Sequence, residues 1–295
     1  LFHAVNETAA AFGQVQFNLS DRFRVAVGGR YTHDNVSQSL SYITVDPQQV
    51  AGFTPKFVAT TAPPVFPYGS VKGDNFSVRV SPEFQITSTA MLYATVSTGY
   101  KPAGIAFVGN KYAPYRHETV KAYEAGLKSE WFNHKLRFNI DVFRSDFTDF
   151  QATILTQVPD GGGGFLLATA IGNAGGLRTQ GVEATLAVRP TRSLSLSASG
   201  SYTDAWFTNY VYNPTTNYTN TRLPNSPDFS ATAAVDYDHA ISDGMKVRAH
   251  ADYAYRSTYW TVVGQPAYSR VPGFGLVNAR LSAVTADNKL EFGVF

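Results

Sequence analysis

The sequence predicts an all-β fold: an antiparallel transmembrane β-barrel, present in part, with about twelve strands. Three observations predict it. Apolar and polar residues alternate with period two through most of the chain, the spacing of a strand with one dry and one wet face. Many of the alternating runs are 11–14 residues long. Soluble sheets use ~5–6 residues per strand, whereas a tilted strand crossing a bilayer needs ~9–11. The connections are short and long in turn, the layout of outer-membrane barrels, with tight turns on the periplasmic side and long loops outside. A soluble sandwich shares the alternation but gives no reason for that asymmetry.

The elements follow in order. Ala11–Leu19 sets Ala11, Gly13, Val15, Phe17 and Leu19 against Phe12, Gln14, Gln16 and Asn18. Arg22–Thr32 sets Phe23, Val25, Val27, Gly29 and Tyr31 against Arg22, Arg24, Arg30 and Thr32. Strands are expected over Asn75–Ile86, Met91–Tyr100, Thr119–Trp131, Leu136–Phe147 and Gly181–Arg189. Ser193–Thr203 is the clearest case, because Leu194, Leu196, Ala198, Gly200 and Tyr202 alternate with an unbroken Ser/Thr row. Phe229–Asp238, Met245–Arg256, Gly275–Ala283 and Lys289–Phe295 complete the set. Long loops are expected at Asp34–Asp74, Lys101–Glu118, Thr148–Gln180, Thr208–Pro227 and Ser257–Phe274. The apolar face then points to lipid, and the Ser, Thr, Arg and Asp face lines the lumen. Tyr31, Tyr100, Tyr202, Tyr253 and Tyr255 fall near the outer interface, and Phe84, Trp131 and Tyr237 near the periplasmic one, as two aromatic girdles would.

Composition agrees. The 295 residues carry 16% charged and 14% aromatic side chains, where soluble domains average roughly 25% charged. The net charge of +2, with no Lys/Arg run, points to no nucleic-acid partner. There is no cysteine, hence no disulfide framework or thiolate metal site. No apolar run reaches the ~18 residues of a spanning helix. The chain opens at Leu1 without Met and stops in mid-pattern at Phe295, so both ends read as breaks in a longer barrel.

Several motifs carry a family resemblance. Leu92–Gly104 (LYATVSTGYKPAG), Glu118–Trp131 (ETVKAYEAGLKSEW), Leu136–Asp149 (LRFNIDVFRSDFTD), Asn173–Pro190 (NAGGLRTQGVEATLAVRP) and Val277–Arg280 (VNAR) occur in one order. They resemble the C-terminal barrel half of TonB-dependent outer-membrane receptors. Two positions depart from the family pattern: Ala103 replaces a second Gly, and Arg144 stands at the usual Tyr.

The resemblance implies a barrel of 22 strands around a plug. Residues 1–295 would hold about twelve of them, with the plug domain and the closing strand absent. It also implies a location in the bacterial outer membrane, in contact with its lipid. The function implied is TonB-coupled active import of a scarce nutrient, foremost an iron–siderophore complex. The TonB–ExbB–ExbD complex would act through an N-terminal region that the chain lacks. A passive porin is the second reading, separated from the first by the presence of a plug in the parent protein.

No catalytic constellation is found, so no enzyme activity and no cofactor are expected. His3, His33, His117, His134, His239 and His250 lie far apart, without metal-ligand spacing. Gly161–Gly164 reads as a loop tip, since no helix follows to cradle a phosphate. His250 and Asp252 share a strand face with Lys246, Arg248 and Arg256, which suggests charge pairing in a wet lumen. Ligand capture is expected at the long loops instead. Tyr112, Tyr115, Arg116 and His117 cluster in one; Tyr210, Tyr212, Tyr218 and Arg222 in a second; Tyr259 and Trp260 in a third. Tyr112, Tyr115, Arg116, His117, Tyr218, Arg222, Tyr259 and Trp260 are the binding candidates. Aromatic faces beside Arg suit an anionic or aromatic chelate, through stacking and charge-assisted hydrogen bonds.

Overall fold

A computed structural model describes residues 2–40, 68–108, 111–159, 165–213 and 215–295. Strands β1 (Phe2–Asn18), β2 (Phe23–Leu40), β3 (Tyr68–Thr87) and β4 (Ala90–Lys101) are followed by a small hairpin, β5 (Gly104–Val108) and β6 (Lys111–Tyr115). Next come β7 (Glu118–Trp131), β8 (Leu136–Pro159), β9 (Phe165–Val188) and β10 (Leu194–Asn209). The two-residue to three-residue strands β11 (Val211–Asn213) and β12 (Thr216–Asn217) form a second small hairpin. The chain continues with β13 (Phe229–Ser242), β14 (Met245–Arg256), β15 (Tyr259–Trp260), β16 (Arg270–Val271), β17 (Phe274–Thr285) and β18 (Glu291–Val294).

Twelve strands make one meander, ordered β1-β2-β3-β4-β7-β8-β9-β10-β13-β14-β17-β18, and each neighbouring pair is antiparallel. The short pairs β5–β6, β11–β12 and β15–β16 all lie in the long connections. All twelve sequence-expected strands are therefore present as a sector of a barrel wall.

Directly paired residues point to the same side of a sheet, so the register assigns the faces. Tyr31 pairs with Phe76, Val27 with Val80, Val142 with Val182, Leu196 with Val235 and Tyr202 with Phe229. These large apolar residues are all exposed except where they touch one another, which is the lipid-facing wall. The other face is polar and internally bonded. His250 lies between Asp236 (2.8 Å) and Asp252 (3.2 Å), and Asn278 donates to Asp252 at 2.9 Å. Arg248 reaches Asp238 and Glu291 at 3.3 Å each, and Arg280 reaches Glu291 at 3.0 Å. The lumen pairing expected of His250 and Asp252 is present. Lys246 instead donates to Asn288.

The wall has a fixed height. On β2 Phe23 and Tyr31, on β3 Phe84 and Phe76, on β7 Trp131 and Tyr123, and on β13 Tyr237 and Phe229 are outward aromatic pairs, each eight residues apart. Eight residues are ~26 Å of strand, or ~20 Å of height at the tilt of such barrels. The pairs thus bracket the apolar band.

Four expectations are corrected. The first long loop is shorter than Asp34–Asp74, because β2 and β3 stay paired from His33–Asp74 out to Ser39–Tyr68. Thr148–Gln180 is not a loop for most of its length, because β8 and β9 continue their ladder from Phe150–Gly175 out to Pro159–Phe165. A double irregularity hides this continuation. The register shifts between Phe147, Phe150 and Gln151, Asp149 takes a left-handed conformation (φ 54°), and Gly175 opposite has φ 116°. The alternation therefore breaks in sequence while the ladder resumes in space. Tyr100 does not sit in the outer girdle; its hydroxyl bonds to Asp34, beyond the point where the β3–β4 pairing ends at Arg79–Ser97. The final strand is Glu291–Val294, shorter than Lys289–Phe295, since a turn held by Thr285 and Asp287 occupies Lys289 and Leu290. The Gly161–Gly164 tip and most of the first long loop lie outside the described residues.

Candidate functional site

The long connections build a crown above the outer girdle, on two foundations. The first is the hairpin β5–β6. Ile105 is buried, and Gly69 at the outer end of β3 lies against the Ile105 side chain and the Tyr112 ring, so a Cβ there would fall 2.9 Å from Ile105 and 3.2 Å from Tyr112. Gly104 lets the chain turn under Tyr115, whose hydroxyl would be 2.1 Å from any Cβ at that position. Burial also raises the Tyr115 phenol above its ordinary range. Tyr112 keeps about half of its surface open.

Arg116 follows directly. Its backbone N–H donates to Asn173 Oδ1 at 2.7 Å, and Asn173 Nδ2 donates back to the Arg116 carbonyl at 3.0 Å and to the Asp149 carbonyl at 2.8 Å. Gln151 Nε2 donates to the Pro102 and Arg116 carbonyls at 2.8 and 3.1 Å, while its backbone N–H donates to Glu118 at 2.7 Å. The Arg116 guanidinium grips Asp149 through Nε (3.3 Å) and Nη2, yet 71% of its side chain stays exposed. That hydrogen bond, with the adjacent charge, holds the Asp149 carboxyl below its usual range. His117 is exposed beside this knot.

The second foundation is aromatic. Ala174, Leu177, Phe207 and Tyr210 are buried, and Phe147, Phe150, Tyr212, Tyr218, Leu223 and Val263 close around them. Phe207 and Tyr210 have ring centroids 4.8 Å apart, and Tyr218 lies 5.5 Å from both Tyr210 and Tyr212. The Tyr210 hydroxyl donates to the Thr153 carbonyl at 2.9 Å, and burial pushes its pKa up to about 12. Gly264, with φ 79°, brings the third long connection against the Tyr218 ring, where a Cβ would sit 2.7 Å away. The Asn225 N–H donates to the Trp260 carbonyl at 2.7 Å, tying the second connection to the third. Arg222 closes the base, pairing with Asp204 at 3.5 Å and with Asp228.

The eight candidates thus fall into two groups. Tyr112, Tyr115, Arg116 and His117 share the hairpin foundation; Tyr218 packs in the aromatic one, Arg222 pairs with Asp204 and Asp228 beside it, Trp260 is tied to the second connection through Asn225, and Tyr259 pairs with Val271 within the third. The β8–β9 irregularity joins the groups, because Asp149 holds Arg116 while its neighbour Phe150 packs 6.0 Å from Phe207. Asp149, Phe150, Gln151 and Asn173 escape a reading from sequence, since they fall in a stretch that looks like loop. The signal that could have found them is the Gly175-Gly176 couple, which marks an irregular backbone position where Gly175 pairs with Phe150.

The sequence model of the family described as TonB dependent receptor-like, beta-barrel, matches residues 2–295. The pesticin receptor of Yersinia pestis is 25% identical over 235 residues, which is 78% of this chain and 30% of that receptor. The crystal structure of the ferric yersiniabactin uptake receptor FyuA from Yersinia pestis superposes with a TM-score of 0.73 at 19% identity, covering 95% of this chain and 38% of that one. The siderophore receptor PiuA from Acinetobacter baumannii gives a TM-score of 0.70 at 17% identity, covering 99% and 38%. The chain spans well under half the length of these relatives, and likeness to solved structures at such identity speaks for the fold.

Proposed function

We propose a function from one premise: the chain belongs to the TonB-dependent receptor β-barrel family. It is an outer-membrane barrel sector, and its parent protein acts as a receptor for energy-coupled import of a scarce nutrient. The cargo we propose is an iron–siderophore complex. The observation that carries this reading is the crown itself, where open Tyr112, exposed Arg116 and the packed Tyr218, with Tyr259 and Trp260 in the next connection, stand on the loop side of the wall. Rings with two polar tips and a cation whose anchor leaves most of its surface free suit a planar, anionic chelate. Arg222, held between two carboxylates, supports the aromatic side from below.

Residues 1–295 form a sector of the parent's barrel. A plug and a TonB-contacting segment elsewhere in that protein would couple it to TonB–ExbB–ExbD and open the path after capture. Membership of a receptor family favours this over a passive porin, and over an enzyme. The purified parent protein, titrated with a panel of ferric siderophores and followed by tryptophan quenching, is expected to bind one class with at least tenfold preference. Tyr218→Ala and Arg116→Ala would each weaken that binding without loss of barrel assembly. Absence of saturable binding to every chelate in the panel, with the same protein taking up cobalamin or a sugar, would discard the siderophore reading.

A further inference from the structure

On two adjacent strands the outer girdle carries a polar residue in place of an aromatic. Eight residues above the periplasmic end, β2, β3, β7, β10, β13 and β14 present Tyr31, Phe76, Tyr123, Tyr202, Phe229 and Tyr253 to the lipid. The same step on β8 leads from Leu136 to Arg144, and on β9 from Val188 to Gln180. One step higher on the same outward face the ladder runs Lys121–Asp146–Arg178. Arg144 grips Asp146 through Nε (2.9 Å) and Nη2 (3.3 Å), and Arg178 Nε reaches the same carboxylate at 2.5 Å. Arg178 is also steadied by Trp206, its guanidinium carbon lying 5.6 Å from the indole centroid.

Charge does not balance here. One carboxylate, Asp146, faces three cations, and Lys121 is exposed without an ion-pair partner among the described residues. Neighbouring sectors at this height are different. Above Tyr31, Asp74 is bonded to Tyr31 and His33, and a single lysine, Lys72, lies one step higher on β3. Above Tyr202, Asp204 and Asp228 share Arg222. The cationic surplus is thus largest on β7–β9, and it lies at headgroup level, above Tyr123, Val142 and Val182. A cation next to a lipid-facing wall is stabilised by anionic headgroups and would otherwise be poorly placed at the edge of hydrocarbon.

We propose that Lys121, Arg144 and Arg178 form a docking site for the phosphates of an outer-leaflet glycolipid. Asp146 acts as the template: it holds the two guanidinium groups side by side and leaves their remaining N–H groups turned outward, while Lys121 supplies a third charge one strand away. Guanidinium pairs suit phosphate because the fork donates two parallel hydrogen bonds. The site lies on the side of the long loops, so its occupant comes from the outer leaflet, where the phosphorylated glycolipid resides.

The test uses the full-length receptor, delipidated in detergent and titrated with bisphosphorylated lipid A, the same glycolipid without phosphates, and phosphatidylglycerol, read by native mass spectrometry. The phosphorylated glycolipid is expected to bind in preference to both others. Arg144→Tyr restores the girdle aromatic and keeps the wall intact; it should lower that binding about fivefold. With Arg178→Gln added, the loss should reach about thirtyfold, from the usual weight of each cation at an anionic surface. Equal binding by wild type and the double variant would overturn the proposal, as would equal retention of the dephosphorylated glycolipid or of phosphatidylglycerol.

Discussion

The wall and the crown of this molecule are built by different rules. The wall repeats one local device, an apolar residue at every second position, and needs no particular partner, since lipid accepts any apolar side chain. Leu196 is 39% exposed and still correctly placed. The crown works in water and depends on individual contacts. Phe207 is 3% exposed, Gly175 approaches the Asn209 carbonyl so closely that a Cβ would meet it at 2.2 Å, and Asp149 serves one specific arginine. A wall of this kind tolerates substitution within a class, whereas such a crown does not.

Four substitutions would break or sharpen that contrast. Phe207→Ala should cost the crown about 3–5 kcal/mol, the usual range for emptying a buried aromatic site. Limited proteolysis should then cut the second and third connections of the parent receptor, while heat-modifiable migration stays normal; loss of both together would mean that wall and crown fold as one unit. Leu196→Arg should cost the wall roughly 2–4 kcal/mol near the midplane and reduce membrane yield. Ser197→Arg, one residue along on the lumen face, should leave yield unchanged, and a reversed result would show that the faces are exchanged. Gly175→Ala places a Cβ in the left-handed region against backbone, and about 1–3 kcal/mol of strain follows. Faster hydrogen exchange confined to Phe150–Gln151 and Asn173 would register it.

The smallest effect concerns pH. Arg116 depresses the Asp149 pKa, so the pair contributes fully above the ordinary Asp value of ~3.9 and is lost as pH falls through the lower folded value. Arg116 is largely exposed, which holds the contribution within about 1 kcal/mol. Proteolysis of the crown below that ordinary value should therefore begin at a slightly higher pH in Arg116→Ala than in wild type. Coincident profiles would remove the pair from the account of the crown.

The same contrast explains what could be read in the sequence. The twelve wall strands were legible because alternation is local: Ser193–Thr203 declares its faces without reference to any neighbour. The crown was legible only as composition. Its tyrosines could be picked out, but Arg222 gives no sign in its own loop of Asp204 and Asp228, which reach it from either side of the second connection. The outward continuation of β8 and β9 stayed hidden because two irregular backbone positions, Asp149 and Gly175, interrupt the period that carries the signal. Tyr100 misled for the complementary reason: its parity is that of the wall, but β4's ladder with β3 stops below it, and its hydroxyl reaches Asp34.

The eight-residue interval between the outward aromatics makes this wall a gauge. At ~20 Å between rings it suits a hydrocarbon layer thinner than the ~30 Å of an average bilayer, as the bacterial outer membrane is. In a thicker membrane the lipid around it would have to compress, at a fraction of a kcal/mol for every ångström of mismatch. The sequence therefore specifies, besides a shape, the thickness of the membrane in which that shape rests without strain.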